Sequence, residues 1–223
     1  NVSADVLRIK DFTWNVNANV SYNKNEITEL YNGITEYVAS DTGRMVAVGH
    51  PLGEFYLNRY AGVNPTNGDA LWYTKDGEIT TEYNENDKVM LGKTHEAPWQ
   101  GGFGTTLSWQ GFSLSAQFTW VADRWMLNND RVFQESNGLF SAYNQSKRML
   151  YDRWKKPGDV TDIPRYGVTP QLDSRFLEDA SFLRLKNLML SYTFPQKWLQ
   201  RTNFLSSARI YAQGQNLLTF TSF

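Results

Sequence analysis

An all-β, antiparallel fold built from membrane-crossing barrel strands is the class this sequence predicts, and three observations predict it. Apolar and polar residues alternate without a break over strand-length runs; two such runs are joined by only two residues; and aromatics make up 15% of the chain, with 8 Trp, 12 Tyr and 13 Phe. Period-two alternation gives a strand one apolar face and one polar face. A two-residue connection makes an antiparallel hairpin. The aromatic share exceeds what a small soluble core needs and suits either interfacial girdles or a sugar-binding platform.

The first strand runs from Phe12 to Tyr22, with Phe12, Trp14, Val16, Ala18, Val20 and Tyr22 alternating with Thr13, Asn15, Asn17, Asn19 and Ser21. Alternation alone fits a half-buried strand of a soluble sandwich equally well. Three details point to a membrane. Aromatics sit at both ends of the apolar face, the polar face is neutral, and Lys10, Asp11 and Lys24 flank the run. A strand of about 12 residues at ~3.3 Å each, tilted by ~45°, covers roughly 28 Å along the bilayer normal, which matches a lipid-facing band ~25 Å tall.

A hairpin follows, with Phe103, Thr105, Leu107 and Trp109 on one strand, Gln110 and Gly111 as the turn, and Phe112, Leu114, Ala116, Phe118 and Trp120 on the next. With that turn, Trp109 falls opposite Phe112, Leu107 opposite Leu114 and Phe103 opposite Phe118, so one apolar face is in register. The other face carries Gly, Ser, Thr and Gln, which suits a wet lumen or a plugged one. A third strand has Leu188, Leu190, Tyr192 and Phe194 alternating with Asn187, Met189, Ser191 and Thr193, and ends at Pro195. A fourth, weaker one holds Ala208, Ile210 and Ala212 and continues through Leu218 and Phe220. The lipid-facing set expected from these runs is Phe12, Trp14, Val16, Tyr22, Phe103, Leu107, Trp109, Phe112, Leu114, Phe118, Trp120, Leu190 and Tyr192.

Connections differ in length. Bacterial barrels pair short periplasmic turns with long extracellular loops, which places Gly111 in the periplasm and Asp123 to Ala180 outside. Within that loop, Ser141 to Lys155 has helical spacing in Leu139, Tyr143, Arg148, Leu150 and Trp154, and Lys155-Lys156-Pro157-Gly158 is a helix stop. Between Asn23 and Pro98 the strand candidates Phe55 to Val63 and Leu71 to Tyr73 are separated by strong turn signals, and the pattern leaves open whether they cross the membrane.

Composition excludes several classes. Lys and Arg total 22 against 23 acidic residues, a net charge of -1, so no basic field exists for nucleic acid. There is no cysteine, which removes disulfides, thiolate metal sites and a cysteine nucleophile. Residues Asn1 to Asp5 show no signal-peptide pattern, and no uninterrupted apolar run is long enough for a transmembrane helix. The mean hydropathy of -0.52 is no guide, because barrel strands alternate and their loops are hydrophilic.

Three blocks carry a family resemblance. The first is Gly49-His50-Pro51-Leu52-Gly53 with Phe55-Tyr56, Ala61-Gly62-Val63-Asn64-Pro65 and Asn67-Gly68-Asp69. The second is Asp152-Arg153-Trp154, the run from Pro157 to Arg165, and the run from Arg175 to Asn187; the third runs from Tyr211 to Phe220. Together, in this order, they resemble the C-terminal half of SusC/RagA-family TonB-dependent transporters. The resemblance implies an outer-membrane barrel of about 22 strands with a plugged lumen, import of glycans or peptides, a SusD-like surface lipoprotein acting as a lid, and energy from the TonB–ExbB–ExbD complex through an N-terminal part. It implies no cofactor. On this reading residues 1–223 are a C-terminal piece of the barrel, lacking the plug domain, the TonB-contacting segment and the final strands.

No catalytic constellation emerges. His50 and His95 are far apart and each lies in a loop signal, His50 in what the family pattern makes a structural turn. Glu178 and Asp179 are adjacent, so on an extended chain they point to opposite faces, poor geometry for a glycosidase pair. The Asn64 to Asp69 turn lacks calcium-loop spacing, and no phosphate loop follows a strand. The aromatic and basic loop residues leave two readings, ligand contact or a self-packed loop core. Trp125, Arg131 and Tyr143 are the candidate substrate or lid contacts; Tyr151 and Trp154 are expected to pack internally. The rival to a transporter is a soluble, exported β-sandwich binding carbohydrate, in which Trp14, Val16, Leu107 and Leu114 would be buried against a second sheet. A secreted hydrolase is least supported.

Overall fold

The computed structural model describes residues 1–39, 43–140, 142–202 and 204–223. In chain order the strands are β1 (Val2–Ile9), β2 (Phe12–Tyr22), β3 (Glu36–Ala39), β4 (Arg44–Ala47), β5 (Glu54–Leu57), β6 (Arg59–Val63), β7 (Ala70–Tyr73), β8 (Ile79–Thr80), β9 (Val89–Thr94), β10 (Trp99–Trp109), β11 (Phe112–Ala122), β12 (Trp125–Leu127), β13 (Leu177–Asp179), β14 (Phe182–Thr193) and β15 (Arg209–Thr221). Short helices α1 (Asn129–Gln134), α2 (Lys147–Tyr151) and α3 (Gln196–Leu199) accompany them. The chain divides into two compact units, one of residues 1–23, 97–123 and 180–223, the other of residues 24–96 and 124–179.

The first unit is a six-stranded antiparallel sheet in the order β1-β2-β10-β11-β14-β15, with β1 and β15 as open edges. Its register is the one alternation predicts: Trp109 pairs with Phe112, Leu107 with Leu114 and Phe103 with Phe118. The turn residues Gln110 and Gly111 have φ of 46° and 89°, the type I′ geometry that matches strand twist. Tyr22 pairs with Trp99, Trp99 with Ala122, and Val121 with Phe182. The two longest connections therefore leave the sheet at that end, while two-residue turns and the 194–208 link that holds α3 lie at the other.

One strand, β14, runs further than its alternation shows, and another, β1, was not expected at all, because bulges interrupt the period. Against β11 the register of β14 shifts between Leu185 and Asn187, which pair with the adjacent Phe118 and Gln117 and leave Lys186 as the extra residue. Leu183 and Leu185 then share a face with Leu188 and Leu190 despite the odd spacing. Opposite this bulge Asn216 takes φ 52°, and β15 passes through it unbroken. In β1 the shift falls between Asp5 and Leu7, so Val2 and Ala4 lie on one face with Leu7 and Ile9.

A close approach in β10 requires glycine. A Cβ on Gly101 would lie 2.4 Å from the Asn19 carbonyl oxygen and 2.8 Å from the Trp120 ring, so the bare backbone is what lets that indole lie flat on the sheet.

The second unit contains a four-stranded sheet, β3-β4-β5-β9, a three-stranded sheet, β6-β7-β8, and the β12-β13 ribbon. These strands pair among themselves and are two to six residues long, short of the ~9–11 needed to cross a bilayer. The question left open for residues 24–96 is thereby answered: their strands belong to a separate assembly. Its core holds Phe55, Leu57 and Leu177, with Leu91, Trp125, Leu127 and Leu172 packed around them.

The long helix expected over 141–155 is not formed. Ser141 lies outside the described residues, and the helix is confined to Lys147–Tyr151, with Ser146 capping the Arg148 amide. The supposed apolar stripe is not a buried one: Leu150 and Tyr151 are 64% and 70% exposed, and Met149 points inward instead. Tyr151 thus departs from the expectation that it packs internally. Asn128 caps α1, an element the spacing did not suggest.

Candidate functional site

Two surfaces carry the functional reading, and each is built from one unit. On the six-stranded sheet, cross-strand pairing gathers the expected lipid-facing residues into rows. Ile9, Phe12, Trp109, Phe112, Tyr192 and Ile210 form one, beside the short turns. Leu7, Trp14, Leu107, Leu114, Leu190 and Ala212 form the next, and Val16 lies in the row beyond, with Thr105 and Ala116. At the far end Tyr22 and Trp99 pack with ring centroids 4.4 Å apart and planes tilted by 43°, one row beyond that of Trp120 and Phe220. Between the aromatic ends Phe103 and Phe118 stack at 4.8 Å and 14°.

Among the described residues, this face is left largely exposed. Trp109, Phe112 and Leu190 are each about half exposed, at 55%, 50% and 52%. The indole N–H of Trp14 is nevertheless satisfied, donating to Thr105 Oγ1 at 2.8 Å. The opposite face presents polar groups in ladders, short neutral ones joined by the charged Asp5 and Arg209. Asn15 donates to Asp5 at 3.0 Å, Gln213 to Asn187 at 3.0 Å, and Arg209 to Ser191 at 2.8 Å. The two faces therefore call for different media, one apolar and one wet.

In the second unit the loop candidates occupy different settings. Trp125 packs in the core, and the Lys93 ammonium sits 3.3 Å from its ring centroid. Arg131 is committed to carboxylates: its Nε and an Nη contact the two oxygens of Glu135 at 3.1 Å, and it also pairs with Glu178. Tyr143 is 60% exposed and stands at a small pocket of about 340 Å³ with Asp130, Phe133, Gln134 and Asn144.

The Arg131 cluster was only partly visible in the sequence. Glu135, 1% exposed, is held also by Arg148 at 2.6 Å, and Arg148 reaches both oxygens of Asp162 at 2.7 and 2.8 Å. Burial disfavours these charges, but the partners outweigh it. Glu135 and Glu178 hold the Arg131 guanidinium above its ordinary range, and Arg148 holds the Asp162 carboxyl below the usual carboxylate range. The i,i+4 spacing of Arg131 and Glu135 is the signal that could have found the pair. Asp162 had none.

The first family block and the first part of the second meet in this unit. Trp154 lies over Gly68, whose absent side chain makes room for it, and donates to the Pro65 carbonyl at 3.2 Å. The Gly158 amide donates to the same carbonyl at 2.8 Å, and Arg165 Nε to Asp69 at 2.9 Å. Trp154 is packed as expected. His50 sits in its turn with a ring nitrogen 2.9 Å from the buried Glu54, whose other oxygen accepts the Gly92 amide at 2.7 Å.

No family model matches the chain. Among curated relatives it is 29% identical to TonB-dependent receptor P3 of Formosa agariphila, over 96% of this chain and 23% of that protein. It is 25% identical to the TonB-dependent receptor SusC of Bacteroides thetaiotaomicron, over 96% of this chain and 22% of that protein. Among solved structures, a chain of the RagAB peptide transporter superposes with a TM-score of 0.92 at 36% identity, covering 99% of this chain and 25% of that one. The chain thus spans about a quarter of the length of the relatives it matches. The uncovered apolar wall, the stitched loop blocks and these likenesses agree: the chain matches a C-terminal portion of SusC/RagA-family TonB-dependent transporters.

Proposed function

We propose that the chain is a C-terminal part of the barrel wall and outer vestibule of a transporter that imports glycans or peptides across the outer membrane. The single observation that carries this reading is the apolar face of the six-stranded sheet, exposed among the described residues and bounded by aromatic rows. The soluble sandwich would need Trp14 and Leu114 buried against a second sheet, and both are exposed. The polar face would line the lumen or meet a plug, and the loop unit would contribute to the vestibule.

The RagAB structure, described as a peptide transporter, supports a peptide among the substrates, and SusC supports the same import machinery. A SusD-like surface lipoprotein as lid, and TonB–ExbB–ExbD acting through a segment beyond this chain, complete the proposal. Trp125, Arg131 and Tyr143 remain its candidate contacts; Tyr143 is the one whose side chain is open to a ligand.

The test is to extract the native protein from the outer-membrane fraction with detergent and measure its intact mass. The reading expects a mass several times 25.7 kDa and co-purification of a lipoprotein. Release by buffer alone, at a mass near 25.7 kDa, would overturn it.

A further inference from the structure

From α1 to Asp162 the carboxylates of the loop unit are engaged, with one exception. Glu135 is shared by Arg131 and Arg148, Asp162 is held by Arg148, Asp152 lies 3.5 Å from Arg148, and Asp159 accepts the Lys155 and Lys156 amides. Asp130 makes no hydrogen bond or ion pair among the described residues, yet it lines a pocket of about 340 Å³ with Phe133, Gln134, Tyr143 and Asn144. The side-chain amides of Gln134 and Asn144 are unspent among the described residues as well.

The pocket wall is held in place by its own segment. Phe140 packs against both rings, its centroid 5.0 Å from that of Phe133 and 6.3 Å from that of Tyr143. The Ser146 amide donates to the Gln134 carbonyl at 2.8 Å, and the Gln145 side chain to Ser136 Oγ at 3.1 Å. These bonds fix the turn that carries Tyr143 and Asn144, so little ordering is left for a ligand to impose.

The lining selects the ligand by charge. One carboxylate and two aromatic rings face the cavity, and no cationic side chain does. An anion would be repelled by Asp130, and an apolar group would leave the carboxylate and both amides without partners. A neutral sugar would meet the amides but draw nothing from the charge. An ammonium or guanidinium on an apolar stem uses everything present: its charge pairs with Asp130, it lies against Phe133 and Tyr143, and its remaining N–H groups donate to the amide carbonyls. The surroundings favour the same sign. Beside Asp130 on α1, Arg131 begins a cluster in which two guanidinium groups, Arg131 and Arg148, meet four carboxylates, Glu135, Asp152, Asp162 and Glu178. The volume lies at the lower end of the ~300–1,000 Å³ range of ligand sites, which suits one side chain rather than an oligomer.

We propose that this pocket is a specificity subsite for a cationic side chain, lysine or arginine, of an imported peptide. The inference deepens the transporter reading above and rests on it.

The experiment uses the whole transporter purified from outer membranes in mild detergent, titrated calorimetrically with three probes. These are an end-blocked alanine pentapeptide with a central lysine, the same peptide carrying Nε-acetyl-lysine, and chitosan trisaccharide, whose ammonium groups sit on sugar. The lysine peptide should bind about ten-fold more tightly than its acetylated form, combining an exposed ion pair with a cation–π contact. That ratio should fall to about three-fold or less in Asp130→Asn and in Tyr143→Leu, each of which removes one of the two contacts. Asp76→Asn, which removes an exposed carboxylate from a turn outside the pocket, should leave the ratio unchanged. Because the ratio is read, a general loss of affinity does not imitate the effect. Equal affinity for the two peptides, no binding of either, or a ratio that survives both substitutions would overturn the site. Asp130-dependent binding of the trisaccharide in place of the peptide would overturn the peptide assignment. Protein released from the membrane by buffer alone would sink the transporter reading, and the ratio measured on that released protein would judge the pocket separately.

Discussion

The indole N–H of Trp72 donates to the Asp173 carboxylate at 2.7 Å, joining residues 101 apart in sequence inside the loop unit. Asp173 is 2% exposed, also caps the Arg175 amide at 2.9 Å, and lies where Asn58 and Asp173 form a parallel bridge. This contact ties the excursion between β2 and β10 to the one between β11 and β14. Asp173→Ala strands a buried donor and should destabilise the unit by about 1–3 kcal/mol. Asp173→Asn keeps an acceptor and should cost less. Hydrogen-exchange protection of the β7 amides in the detergent-solubilised protein measures the difference, and equal protection in all three forms would remove the contact from the account.

Acidity acts on this unit in two directions. Burial pushes the Asp173 carboxyl up, with Trp72 and the Arg175 amide opposing, so protonation favours the folded form and this contribution grows as pH falls through the raised folded value. Asp162 is held down: burial opposes, but Arg148 prevails. Its contribution is present above the ordinary carboxylate value and is lost as pH falls through the depressed folded one. Asp162→Asn should therefore weaken protection of the α2 amides at pH 7 and flatten its loss on acidification. Protection factors corrected for intrinsic exchange give the comparison, and an unchanged acid profile would show that the Arg148 pair is not what titrates.

Glu135 lies between Arg131 and Arg148 with its carboxylate almost wholly buried. Removing its charge leaves two guanidinium groups facing each other, and breaking such a buried pair costs about 3 kcal/mol. Glu135→Gln should open the segment from α1 to α2 to limited proteolysis while leaving the six-stranded sheet protected. Cleavage rates identical to the native protein would show that the cluster does not hold the segment.

Arginine tolerance separates the two faces of the sheet. Leu114 and Ser115 are neighbours on β11 and point to opposite sides. Arginine at Leu114, one row in from the turn-side aromatics, should cost about 1–2 kcal/mol, between the interface and midplane values. Arginine at Ser115 should cost far less. Folding titrations into lipid vesicles measure both, and equal costs would contradict the assignment of the faces.

The sheet was legible wherever its period was unbroken. Phe12 to Tyr22 and the Phe103 to Trp120 hairpin could be read with their register, because a single slip would have turned Trp14 and Leu107 to the wet face. The start of β14 and all of β1 were not, because Lys186 and Val6 each add one residue and reset the phase. The loop unit was least legible. Its order rests on contacts such as Trp72 with Asp173 and Trp154 over Gly68, for which local sequence carries no signal. The helix read over 141–155 failed for a related reason: Leu150 and Trp154 fit a 3.6-residue period, but Trp154 is drawn to the Pro65 turn and the chain leaves the helix at Tyr151.

The most direct test of the central claim is a collision-accessibility scan by spin labelling along β11, which this chain's lack of cysteine makes clean over its own length. Single cysteines at Leu114, Ser115, Ala116, Gln117 and Phe118 in the membrane-embedded transporter would be labelled and probed with oxygen, which partitions into lipid, and with a water-soluble nickel chelate. The account predicts high oxygen and low nickel accessibility at Leu114, Ala116 and Phe118, with the opposite at Ser115 and Gln117. Shielding of Leu114, Ala116 and Phe118 from both reagents would mean that protein covers the apolar face, and the transmembrane wall would be wrong.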